Sequence, residues 1–284
     1  MIHKQLYSEV IRPRQSVFQL NLKEVWNYRD LLLMFVKRDF VSQYKQTILG
    51  PLWFFIQPLL TTLMFSVVFG GIAKISTNGQ PKILFYLSGV TIWNYFAESF
   101  NKTAVVFKTN ANIFGKVYFP RLISPLSIVV SGLMRLGIQM LLFLGVWIYF
   151  LINQPNILPA PSISLLIIPF LIFLMAGYAM SLGMIFSSLT NKYKDLTHLI
   201  TFGVTLVMYA TPIIYSSQNI PDKYRPLVLA NPLAPIVESF RVSFLGNGTI
   251  SIDGLIYSTL VMFILLFLGM IIFNKVEKTF MDTI

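Results

Sequence analysis

Six runs along the chain, 48–73, 83–107, 125–152, 163–189, 196–215 and 254–273, are almost wholly apolar. Each reaches or exceeds the ~20 residues that carry a helix across a hydrocarbon core of ~30 Å. Pro58, Pro169, Gly177, Gly183, Gly203 and Pro212 fall inside these runs; within a membrane, neighbouring helices accommodate such breaks and use them for kinks and close packing. Ahead of the first run the pattern changes. Between 23 and 44, Trp26, Leu33, Val36, Phe40 and Tyr44 recur at helical spacing, with Asp30, Lys37, Arg38 and Lys45 on the other face. This predicts an amphipathic helix lying in the cytoplasmic interface, aromatic side in the headgroups and cations near lipid phosphates. A solvated cytoplasmic helix is the plainer alternative. Gly50-Pro51 would then turn the chain into the membrane. Between the fifth and sixth runs, 216–253 is too polar to span, although 229–245 is moderately apolar and carries Glu238 and Arg241. The predicted fold is an all-α integral membrane protein with six transmembrane helices and both termini on one side.

Composition and charge sharpen this picture. Of 284 residues, 55% are hydrophobic and 12% charged, far from the balance of a soluble domain. The net charge of +11 is unevenly spread. Sixteen of the 22 Lys and Arg fall before the first run, from Lys102 to Arg121, between the fourth and fifth runs, or after the sixth. By the positive-inside rule these segments face the cytoplasm, so the basic charge needs no nucleic-acid partner. The chain then divides into a cytoplasmic N-terminal segment (1–47), a membrane domain (48–274) and a cytoplasmic tail (275–284). Residues 1–22 are polar and lack the apolar core of a cleavable signal peptide. No cysteine and two histidines, His3 and His198, exclude thiolate chemistry and disfavour a metal site.

The sequence offers little catalytic chemistry. A phosphate-binding loop needs G-x-x-x-x-G-K-[ST], so that backbone N–H groups and a lysine cradle phosphates; the only Gly-Lys pair, Gly115-Lys116, has Asn110 and Val117 in the wrong places. Leu87-Ser88-Gly89 lies inside a span and is read as chance. Charges within spans call for a function. Glu98 and Lys102 stand one helical turn apart. Arg135 lies about ten residues past Pro125, or ~15 Å deep at ~1.5 Å per residue, at a depth comparable with Glu98. We therefore expect Glu98 and Arg135 to face each other or a hydrated pathway; a snorkelling arginine is the alternative.

Four segments resemble one family in order: KRDFVSQYKQTILGPLWFFIQPLLTTLMFSVVFGGIAKI (37–75), NANIFGKVYFPRLISPLS (110–127), NKYKDLTHL (191–199) and NPLAPIVESFR (231–241). The chain is similar to permease subunits of ABC transporters that export O-antigen, capsular polysaccharide or teichoic acid across the bacterial inner membrane. The resemblance implies a homodimer joined by two copies of a separate ATPase subunit, which would hold ATP and magnesium, with no cofactor in this chain. The substrate would be a glycan on a polyprenyl pyrophosphate carrier, O-antigen first. Arg29, Lys37, Arg38 and Lys45 would then gate the pyrophosphate. Region 108–124 would be a coupling helix contacting the ATPase through Asn110, Lys116, Tyr118, Phe119 and Arg121. Region 216–253 would form short re-entrant helices closing the outer side. Trp53, Phe54, Tyr95 and Tyr209, with Glu98 and Arg135, are candidates to line the conduit. The alternatives are export of a lipid or drug, a polyprenyl-linked glycosyl transferase, for which no D-x-D or histidine constellation appears, and a secondary transporter, for which no internal repeat appears.

Overall fold

The computed structural model describes residues 22–154, 157, 158, 162–193 and 195–281. Their regular structure is all helical, with no strand among the described residues. α1 (Leu22–Asn27) and α2 (Arg29–Ser42) precede α3 (Trp53–Phe65), which begins with a 3-10 turn (Gly50–Leu52) and ends in a π-helical turn (Ser66–Ile72). There follow α4 (Lys82–Thr103), α5 (Val106–Thr109), α6 (Ala111–Phe114) and α7 (Ile123–Asn153). Then come α8 (Ile168–Lys192), α9 (Leu196–Ala210), α10 (Arg225–Ala230), α11 (Ala234–Leu245) and α12 (Ile252–Met281).

Four helical stretches are long and apolar enough to cross a membrane: Gly50–Ile72, Ile123–Asn153, Ile163–Lys192 and Ile252–Val276. α4 has the length, at 22 residues, but is more polar. Its position explains this, because it sits at the centre against α3, α7, α8 and α11. Leu84, Tyr86, Ser88, Thr91 and Thr103 are all fully buried on it. Ser88 Oγ donates to Phe85 O at 2.8 Å and Thr91 Oγ1 to Leu87 O at 2.7 Å, so these two hydroxyls are satisfied within their own helix without water. α9 stops at Ala210, short of the predicted 215, where Pro212 has no N–H to continue the ladder.

The bundle has two recognisable ends. At one, Phe35, Phe107, Phe114, Phe119, Ile123 and Phe273 form a small aromatic core, and Thr190 Oγ1 donates to Ala104 O at 2.5 Å. At the other, Gln80 Nε2 reaches Leu245 O at 3.3 Å and Ser164 Oγ reaches Ser243 O at 3.5 Å. α4 and α8 thus run side by side from one end to the other. α11 enters this second end and is buried along its length, with Ile236, Val237, Phe240 and Leu245 fully inside. Gly246 halts it in the left-handed conformation (φ 74°), its N–H bonded to Val242 O at 2.8 Å, a geometry that favours glycine.

The N-terminal amphipathic region is two helices rather than one, broken at Tyr28 (φ −95°, ψ 22°). The predicted stripe, expected to face headgroups, is divided between exposure and contact with protein. α2 lies on α7, with Phe35 and Val36 buried, Phe40 and the following Tyr44 half-buried, and Leu33 and Met34 exposed, as is Trp26 of α1. Apolar residues at helical spacing do not distinguish a protein-facing from a lipid-facing side. Gly50 makes the turn into α3 at φ +53°, and the space that a Cβ would occupy there is open, so it is the backbone angle rather than crowding that demands glycine.

Candidate functional site

Two polar groupings stand out within the apolar bundle. The first centres on Arg135 of α7. Its guanidinium pairs with Glu98 of α4, donates to Gln57 Oε1 of α3 at 3.1 Å, and lies 5.1 Å from the centroid of the Phe54 ring. Glu98 also accepts from Lys102 Nζ at 2.6 Å. The pairing expected from matched depths is therefore present, and one carboxylate serves two cations. Charges in such a place persist only when paired. Gln57 lies outside the predicted set; its signal in the sequence is a lone amide in an otherwise apolar run.

The second grouping lies where α2 meets the segment after α4. Arg38 Nη2 is 2.7 Å from Asp39 Oδ1 and donates to Asn110 Oδ1 at 3.3 Å, while its guanidinium lies 4.3 Å from the Phe35 centroid. Asp39 in turn accepts from Ser127 Oγ of α7 at 2.9 Å. One predicted gate residue is thus tied to one predicted coupling residue. The other gate candidates, Arg29, Lys37 and Lys45, are exposed along α2 and the turn after it.

The five coupling candidates divide by burial. Asn110 is 6% exposed and starts α6, its backbone oxygen accepting from Ile113 N at 2.9 Å and Phe114 N at 3.0 Å. Phe119 and Arg121 are also buried, Phe119 edge-on to Phe35 at 5.5 Å and Arg121 5.2 Å from the Phe114 centroid. These three shape the segment. Lys116 and Tyr118 face outward, with Val117 between them, and offer a surface to another molecule. The conduit candidates divide likewise. Phe54 is packed against Phe40 and Tyr44, at 5.8 and 6.4 Å, and Tyr95 is buried with its hydroxyl on Val129 O at 3.3 Å. Trp53 and Tyr209 are 45% and 49% exposed.

At the second end, Arg241 of α11 is buried. Its Nη2 donates to Pro212 O at 2.9 Å and Ile213 O at 3.1 Å, and its guanidinium stacks 3.8 Å from the Phe85 centroid. It satisfies two carbonyls of the turn that follows α9 and, through the Phe85 ring, ties α11 to α4. Glu238, one turn before it, accepts from Ser217 N at 3.1 Å. The predicted closing region is thus built around two charges whose spacing in the sequence marks them only as neighbours on a helix.

A bundle with four long apolar helices, a polar central helix and a docked amphipathic helix defines a multi-pass membrane protein. Residues 30–245 match the family described as ABC-2 type transporter, and the chain belongs to that family. It is 31% identical over 254 residues to the O-antigen export system permease protein RfbA of Klebsiella pneumoniae, covering 89% of this chain and 94% of that protein. The protein of the same name from Myxococcus xanthus is 26% identical over 271 residues, 93% of this chain and 98% of the relative. The capsule polysaccharide export inner-membrane protein CtrC of Neisseria meningitidis is 21% identical over 249 residues, 85% and 89% of the two chains.

Proposed function

We propose that this chain is the membrane subunit of an ATP-driven exporter that moves a glycan on a polyprenyl diphosphate carrier, O-antigen being the foremost candidate, out across the inner membrane. The observation that carries this reading is the near end-to-end likeness to O-antigen export permeases. The second-ranked substrate is a capsular polysaccharide, favoured by the more distant capsule-export relative. ATP and magnesium would be held by a separate subunit.

In this reading six helices cross the membrane. α4 runs beside α8 over the same distance between the same two ends, and α8 has the length and apolarity to cross; α4 therefore crosses with it. α9 leaves the end of α8 and meets Arg241 at the far side through Pro212, so its 15 residues and the turn after them complete the fifth crossing. α11, at 12 residues, is too short to cross and dips in from the outer side, which is tolerable because its ends are packed in protein. Both termini are then cytoplasmic, α1 and α2 lie at the inner face, and Lys116 and Tyr118 meet the ATPase. Two copies of the chain would form the conduit between them, with Trp53 and Tyr209 facing it.

Affinity purification of the tagged chain from its native membrane tests the proposal, with mass spectrometry of bound protein and lipid-linked sugar. The expected result is an ATPase bearing a phosphate-binding loop at one copy per chain, together with a polyprenyl-linked glycan. A chain that purified alone and turned over a nucleotide sugar, or carried out ion-driven flux, would overturn it.

A further inference from the structure

A cavity of about 320 Å³ opens at the second end of the bundle, between α10, α11, the segment that follows α9 and the connection into α12. Its inner side carries the half-buried Glu238 and the buried Arg241, and its exposed rim carries Gln218, Arg225, Asn247 and Thr249. Val228, Leu229 and Pro235 supply an apolar wall. We infer that this cavity is a saccharide-binding site for a short stretch of neutral, hydroxyl-rich glycan on the outer side of the membrane, with Asn78 positioning its amides. The inference rests on the proposed function for the side on which the cavity lies, and adds a binding site to it.

The two rim amides are sorted by Asn78, which stands behind them. Its Nδ2 donates to Gln218 Oε1 at 2.9 Å, and its backbone oxygen accepts from Asn247 Nδ2 at 3.0 Å. Gln218 is thus left with Nε2, a donor, and Asn247 with Oδ1, an acceptor, and among the described residues neither atom has a partner. Thr249 adds a hydroxyl, which can both donate and accept. Asn78 is itself fixed in the left-handed region (φ 55°), with Ser216 accepting from its side chain and Asn219 donating to it. The donor and the acceptor are therefore set before a ligand arrives, which lowers the entropy that binding must spend.

This mixture selects the class of ligand. A phosphate calls for donors and a metal ion for acceptors, whereas a sugar hydroxyl takes one of each. The charges on the inner side are largely committed, Arg241 to Pro212 O, Ile213 O and the Phe85 ring, and Glu238 to Ser217 N. Standing one helical turn apart, they oppose a free anion and a free cation alike. Arg241 Nε is buried and has no partner among the described residues, a cost that a hydroxyl or water held in the cavity would relieve. The apolar wall suits the C–H face of a sugar ring. Gly248 (φ +121°) keeps the rim clear, since a Cβ there would lie 3.2 Å from Gln218 Nε2. The volume stands at the small end of ligand sites, about 300–1,000 Å³, and fits a short saccharide rather than a length of polymer.

The full-length chain in phosphatidylcholine nanodiscs is titrated with galactose, mannose, rhamnose and N-acetylglucosamine, followed by saturation-transfer difference NMR, with inorganic phosphate as the charged competitor. Saturable, millimolar binding of at least one of these sugars is expected, undisturbed by phosphate. Gln218→Ala and Asn247→Ala should each raise Kd about 2- to 10-fold, the worth of one neutral hydrogen bond. Asn78→Ala should raise Kd too, but not further in a chain that already carries both changes, because members of one network do not add. A merely structural Asn78 would weaken both backgrounds alike. The chain has no cysteine, so Asp222→Cys, beside the rim, takes a single nitroxide that should broaden the resonances of the bound sugar and so locate it. No saturable binding of any of the four sugars by a chain with intact helical circular dichroism would sink the inference. Binding that the label does not reach, that phosphate displaces, or that is indifferent to both Gln218→Ala and Asn247→Ala would sink it equally. The export reading fails separately: a chain that co-purified with its ATPase and glycan but bound no sugar here would lose only this site, and one that bound sugar here but purified alone would lose only the exporter.

Discussion

Replacing Glu98 by Gln removes the charge that two cations share, and its cost can be worked from the contacts. Stranding one partner of a buried ion pair costs about 3–5 kcal/mol, and an unpaired arginine at the centre of a membrane helix about 2.5–3.5 kcal/mol. Here Arg135 and Glu98 are 16% and 22% exposed, and Gln57 and Phe54 stay with the guanidinium. We therefore expect Glu98→Gln to cost about 2 kcal/mol, below the fully buried range. Arg135→Leu leaves Glu98 with Lys102 and should cost about 1–2 kcal/mol, because the remaining carboxylate keeps a partner. The double variant removes both charges at once, so it should fall short of the sum by a coupling energy of about 1–2 kcal/mol, within the range of residues in one network. Equilibrium unfolding of all four proteins in mixed detergent micelles measures this. Single costs that add to within about 0.5 kcal/mol in the double variant would refute the pairing. Export measured on the same set separates stability from function: Arg135→Leu that preserved both would remove the pair from the mechanism.

Other expectations follow from the same geometry. Arg241→Lys should destabilise by about 2 kcal/mol despite keeping the charge, because an ammonium cannot both stack on Phe85 and reach two carbonyls; thermal melting of the purified chain checks it, and equal melting points would refute it. Gly246→Ala should cost about 1 kcal/mol through the left-handed backbone it must adopt, read in the same melting assay. Gly183→Leu should separate α8 from α4, since even a Cβ there would lie 2.5 Å from Thr103 Cβ, with a cost of about 1–3 kcal/mol for overpacking and lower yield of folded protein. Trp53→Ala and Tyr209→Ala should leave melting nearly unchanged but reduce export of lipid-linked glycan in a reconstituted assay, whereas normal export in both would exclude them from the conduit.

The long helices were legible because their information is one-dimensional. The run predicted at 125–152 is α7, Ile123–Asn153, and the run at 254–273 is the middle of α12. The Glu98–Arg135 contact was legible because depth along a helix can be counted from either end. Two features were not. The face of α2 that contacts protein is set by the shape of α7, and apolar periodicity alone gave Trp26 and Leu33 the same standing as Val36. The Arg38–Asn110 contact spans 72 residues, and no local pattern joins them; Asp39, which orients Arg38, stands in the sequence as one acid in a basic stretch. Likewise burial of Phe54 and Tyr95 depends on how α2 and α7 cover them, so aromatic content could nominate conduit residues but not sort them.

Asn78, in the short connection after α3, carries a consequence for how the chain is made. Its side chain donates to Ser216 Oγ and Gln218 Oε1 and accepts from Asn219, and its backbone oxygen accepts from Asn247. These partners lie 138 to 169 residues downstream. At a synthesis rate of about 5–20 residues per second, Asn78 leaves the ribosome roughly 7–30 s before its partners. During that interval the early helices are held only by one another. That end of the bundle is fastened last, when the final loops arrive, so an unfinished chain lacks the clasp that a finished one has.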